Sequence, residues 1–178
     1  MENNFFEYHK LFKNYGMRIS IDGFDLPSAL IDILRKNNVS SYSDGFFTFI
    51  DKSDVGYVFD LWSIPNQTAF PILKTGFGMV LFVDEYEYKL IDPIYNEVIP
   101  LGSKDDVEFL FNTLLCDRMI LESTFLIDIY EAVFNKIGPP EINECYAFYP
   151  AIGLGGGLNT DSIRICNMEA ELAILSQL

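Results

Sequence analysis

The chain has 178 residues, 49% of them apolar and 21% charged, with 16 Phe and 10 Tyr. It can therefore bury one substantial core or two interlocked ones, and it is too aromatic to remain disordered. Twelve Lys and Arg against 26 Asp and Glu leave a net charge of -14, which turns away a phosphate backbone and suits a basic partner or an uncharged one.

Both halves share the excess, with 14 acids and 8 bases up to Ser103 and 12 acids and 4 bases after it. No apolar run approaches the roughly 18 residues of a membrane span. The opening MENNFFEYHK has no basic segment followed by an apolar one, so a cytoplasmic protein without a membrane partner is the expectation.

Tyr8, Leu11, Phe12 and Tyr15 have helical spacing and predict an N-terminal helix. Asp25 and Pro27 open a second helix carrying Leu30, Ile31 and Leu34, and Ser53 caps a third carrying Val55, Val58, Phe59 and Trp62. Phe46, Phe47 and Phe49, together with Tyr57, Phe59 and Trp62, cluster around Asp44-Gly45 and read as core.

The run GMVLFV at 78–83 does not alternate, which suits a strand covered on both faces. Asp84 and Glu85 turn the chain into an alternating strand with Tyr86, Tyr88 and Leu90, broken at Asp92-Pro93 before a short strand around Val98 and Leu101. Ser103 then caps a helix with Asp105 and Asp106 in its first turn and an inward stripe of Val107, Leu110, Phe111, Leu114 and Leu115. A helix over 124–137 follows, stopped by Gly138-Pro139-Pro140. CYAFY at 145–149 and IRIC at 163–166 are strands on either side of a glycine-rich loop, and Asn167 caps a last helix holding Leu172 and Leu175. This order predicts an α+β fold, an antiparallel meander packed with helices.

Catalytic chemistry is scarce. His9 is the one histidine and has no nearby carboxylate or nucleophile in sequence, so it reads as a packing or surface residue. Cys116, Cys145 and Cys166 lie too far apart in sequence for a zinc site and read as buried free thiols. GLGGG at Gly153–Gly157 lacks the Lys-Ser/Thr of a phosphate loop and reads as a permissive turn. No cofactor, no metal and no enzymatic activity are expected, and a binding module is the best description.

The end of the chain is more specific. Gly138, Pro139, Glu144, Tyr146, Phe148, Pro150, Ala151, Leu154, Gly155, Gly156, Leu172, Ala173, Leu175 and Gln177 stand in an order that resembles the C-terminal signature of bacterial type VI secretion immunity proteins. Glu171 takes the place of a histidine often found there. Upstream, YSDGFFTFID and KTGFGMVLFVDEYEYKLIDPIYNEV resemble the GAD-like domain of the same proteins. The resemblance implies two interlocked modules, 1–103 GAD-like and 104–178 the immunity C-terminal domain. It also implies a cytoplasmic immunity protein that neutralises a cognate toxin, in characterised members a DNase. The other reading kept open is a regulatory or scaffolding module with a protein or small-molecule ligand.

A basic nuclease cleft would meet acids on rigid turns. The expected toxin-binding residues are therefore the turn Asp84, Glu85 and Glu87 with Tyr86 and Tyr88 as anchors, and next the helix start at Asp105 and Asp106.

Overall fold

The computed structural model describes residues 4–178. Its elements run α1 (Asn4–Tyr8), β1 (Leu11–Asn14), α2 (Ser28–Asn37), β2 (Ser40–Tyr42), β3 (Phe47–Phe49), α3 (Lys52–Val55), α4 (Tyr57–Leu61), β4 (Phe70–Thr75), β5 (Val80–Val83), β6 (Glu87–Asp92) and β7 (Glu97–Ser103). There follow α5 (Val107–Asn112), a 3₁₀ turn (Leu114–Cys116), α6 (Arg118–Ser123), α7 (Ile127–Ile137), β8 (Glu144–Phe148), β9 (Ile163–Asn167) and α8 (Met168–Leu175). Strands β1 to β7 form one antiparallel sheet in sequence order, and β8 and β9 form a separate hairpin. The α+β class is as expected.

Alternation along the strands explains the two-sided core. Leu81 and Val83 of β5 join a cluster with Phe5, Phe49, Phe111 and Tyr130, while Val80 and Phe82 join a second cluster with Val58, Phe59, Met168 and Leu172. Successive side chains of a strand point to opposite faces, so a run without polar residues is required when both faces are covered. Helices α1, α2, α5, α6 and α7 contribute to the first cluster, and α3, α4 and α8 to the second.

The C-terminal hairpin is tied to the main sheet at the turn after β4. Tyr146 N–H donates to Gly76 O at 2.8 Å and Lys74 Nζ donates to Glu144 O at 2.9 Å. Tyr146, Phe148 and Ile163 share the first cluster with Phe46, Phe47 and Leu73. The two ends of the chain thus bury one continuous apolar volume.

Several local expectations are corrected. The N-terminal helix stops at Tyr8, and Leu11 and Phe12 lie instead on the exposed edge strand β1, where pairing with β2 satisfies the backbone. Asp51, not Ser53, caps α3, with its carboxylate accepting Ser53 N–H, and the helix breaks before α4. Asp106, not Ser103, caps α5 by accepting Phe109 N–H at 3.2 Å. That stripe is also interrupted at Thr113, so Leu114 and Leu115 reach the core from a 3₁₀ turn. The helix predicted from residue 124 begins at Ile127, after Leu126 in a left-handed conformation.

Candidate interaction site

Asp84 organises the first predicted acidic turn. Its Oδ1 accepts the N–H groups of Tyr86 (2.9 Å) and Glu87 (3.0 Å), while Oδ2 meets Lys89 Nζ at 2.6 Å. Partial burial raises the Asp84 carboxyl, but the Lys89 hydrogen bond and the two backbone donors more than offset it, and the net pKa lies below the ordinary carboxylate value. Lys89 also pairs with Glu87 at 3.2 Å. Asp84 and Glu87 therefore spend their charge inside the turn, and Glu85 and Tyr86 are its exposed residues, Tyr86 at 77%.

Tyr88 is corrected as an anchor. It is 1% exposed and belongs to the core, because the alternation of β6 turns Tyr88 inward with Leu90, whereas Tyr86 precedes the strand, which starts at Glu87, and stays exposed.

The second predicted patch lies against the first. Lys104 N–H donates to Tyr86 O at 3.0 Å, and Glu87 pairs with Ser103 across β6 and β7, so residues 84–87 and 103–106 are neighbours in space. Lys104 is held down by Asp25, Nζ to Oδ2 at 2.8 Å. A groove of about 410 Å³ lies between Asp25, Asp84, Glu85 and Lys104. Beside it, a groove of about 580 Å³ opens between the N-terminal turns of α2 and α5, lined by Asp32, Asp105, Asp106 and Glu108 with no basic residue. The exposed carboxylates of Asp105 and Glu108 flank the positive end of the α5 dipole, which lowers the local cost of their crowding.

Asp25, Asp32 and Glu108 were not singled out from the sequence as site residues. Asp25 and Lys104 are 79 positions apart, and no local pattern announces such a pairing. Only the packing of α2 against the start of α5 brings these acids together.

The remaining chemistry-bearing residues have structural partners. His9 is fully buried; its Nε2 lies 2.7 Å from Leu115 O and its Nδ1 2.7 Å from Ser43 Oγ. The ring therefore donates to the carbonyl and accepts from the hydroxyl, consistent with packing. In the glycine-rich loop, a Cβ at Gly156 would lie 1.9 Å from Pro150 O, so that position needs glycine for a close backbone approach. Among the described residues no group of three or more His, Cys, Asp or Glu is placed to hold a metal ion. No described helix is long and apolar enough to cross a membrane.

The fold is shared with a solved structure, the crystal structure of Atu4351 from Agrobacterium tumefaciens. The TM-score is 0.74 at 15% identity, over 99% of this chain and 89% of that one. At that identity the likeness is one of fold. No curated protein matches the chain. Residues 104–178 match the model of a family described as T6SS immunity protein Tdi1, C-terminal.

Proposed function

We propose that this protein is a cytoplasmic immunity protein that binds a cognate type VI toxin, a basic nuclease, and blocks its substrate cleft. The observation that carries the reading is the pair of adjoining acidic grooves, where Asp25, Asp32, Glu85, Asp105, Asp106 and Glu108 converge on one face. A DNase must hold a polyanion, so its cleft is basic, and a rigid acidic face competes for that cleft and speeds encounter through long-range attraction. The family match over 104–178 supports the toxin-neutralising part of this reading. The chain's acidity supports the choice of a nuclease. The upstream part, 1–103, would be the GAD-like module that frames the same face.

The test is capture of the partner from the producing strain with tagged full-length protein, followed by plasmid-cleavage assays of the captured protein with and without its inhibitor. A toxin whose DNA cleavage stops at equimolar inhibitor is the expected result. A captured toxin with another activity would overturn the nuclease assignment. Capture of a regulatory protein without toxicity would favour the scaffolding alternative.

A further inference from the structure

We propose that Cys145 and Cys166 are a reactive dithiol, a modification site that a peroxide-class oxidant converts into an intramolecular cross-strand disulfide. The two residues are direct partners in the β8–β9 register, and their sulfurs lie 3.8 Å apart. Direct antiparallel partners have Cα atoms about 4.5–5.5 Å apart, inside the range a disulfide spans, so the sulfurs close the remaining distance by side-chain rotation. Both thiols are free.

Their surroundings divide the labour. Cys166 is only half-buried and can be reached from solvent, whereas Cys145 is packed against Gly78 and Leu172. The contact between the sulfurs is the leading influence on both, lowering the Cys166 thiol while raising Cys145, and Cys166 Sγ also lies 3.5 Å from Cys145 O. Cys166 is then the attacking sulfur and Cys145 the resolving one. The third thiol is different in kind. Cys116 lies beneath Phe111 O at 3.3 Å, and burial pushes it up to about 11.

With hydrogen peroxide the chemistry balances. The Cys166 thiolate attacks one peroxide oxygen, an S–O bond forms, the O–O bond breaks, and the departing hydroxide takes up the thiol proton as water. Cys145 sulfur then attacks the sulfenic sulfur; the S–S bond forms, the S–O bond breaks, and hydroxide leaves with the Cys145 proton as a second water. Two thiols are oxidised by two electrons and one peroxide is reduced to two waters. The product ties the strand bonded to Gly76 to the strand that feeds α8.

The test treats folded full-length protein with a modest excess of hydrogen peroxide and follows intact mass and peptide maps. The expected result is loss of two hydrogens, a linked peptide pair carrying Cys145 and Cys166, reversal by dithiothreitol, and Cys116 still open to alkylation after unfolding. Cys145→Ser should leave a sulfenic acid at Cys166 that a dione probe traps. Overoxidised Cys166 beside an unmodified Cys145 in the wild-type chain, a disulfide-linked dimer, or no reaction at either sulfur would each overturn the proposal.

Discussion

Gly76 and Tyr130 stand so close that a methyl group placed on Gly76 would lie 2.1 Å from Cε2 of the tyrosine ring. The ring cannot swing away: it is 1% exposed, packs on Phe46 and Tyr146, and its hydroxyl donates to Asp44 O at 2.9 Å. Gly76→Ala should therefore cost about 3 kcal/mol through overpacking. In a Tyr130→Leu background the same substitution should cost less, because the obstructing ring is gone. Urea unfolding of the four proteins measures the coupling, and strict additivity would show that the backbone rather than the ring takes up the strain.

That contact joins α7 to the turn after β4, on opposite sides of the proposed boundary at residue 104. The same holds for Phe77, which stacks on Phe148 with ring centroids 5.6 Å apart. Residues 104–178 expressed alone would expose the apolar faces of α7 and β8 that the sheet now covers. Such a fragment is expected to lack a cooperative thermal transition, and adding residues 1–103 in trans should restore one. A sharp calorimetric transition from the isolated fragment would mean that its own core suffices.

Part of this arrangement was legible in the sequence. The two-sided burial of GMVLFV, the stop at Gly138 and the cap at Asn167 each depend on neighbours within one element, and each is found. The N-terminal strand was not legible, because Leu11 and Phe12 carry a helical spacing while the deciding contact, pairing with β2, lies some 30 residues away. The acidic face was half legible. Its turns, Asp84–Glu87 and Asp105–Asp106, are local patterns, but their union with Asp25 and Asp32 is made by tertiary packing. Tyr86 and Tyr88 share a period of two in the sequence, but β6 begins only at Glu87, so Tyr88 turns into the core while Tyr86 stays out on the turn.

Asp92 gives the fold a measurable pH dependence. It is 2% exposed, and although Ile94 and Tyr95 donate backbone N–H groups to it, burial dominates and pushes its carboxyl up to about 6. The native state thus holds a proton that the unfolded state releases between about pH 4 and 6, so this group's contribution to stability falls as pH rises through that window. Asp92→Asn keeps the oxygen acceptor and removes the charge. It should be more stable than the wild type by about 2 kcal/mol at pH 7 and nearly equal to it at pH 4.

His9 acts in the opposite direction, because burial lowers its pKa and its stabilising contribution is lost as pH falls below the histidine range. Removing Asp92 ionisation should therefore reveal a steeper acid-side decline. Equal stability of the wild type and Asp92→Asn at pH 7, by urea titration, would show that the carboxylate is compensated when charged.

Testing the acidic face requires charges that can be reversed without disturbing the fold. Asp84 is unsuitable, since its Oδ1 holds two backbone N–H groups of the turn, and Asp106 is unsuitable because it caps α5. Glu85, Asp105 and Glu108 are exposed, and reversing the two near the start of α5 forfeits only the dipole interaction, about 1 kcal/mol or less each. The triple variant Glu85→Lys, Asp105→Lys, Glu108→Lys should thus unfold close to the wild type. Toward a basic toxin cleft it replaces attraction by repulsion, which acts first on the encounter rate. At low salt its association rate should fall by tenfold or more, and raising ionic strength should slow the wild type while leaving the variant nearly unchanged or faster, as exposed charges are screened beyond roughly 10 Å at 0.1 M salt. Stopped-flow mixing with the cognate toxin at two salt concentrations reads both effects. An unchanged low-salt association rate in a folded variant would move the interface off this face, toward the groove between Phe12 and Phe134 on the far edge of the sheet.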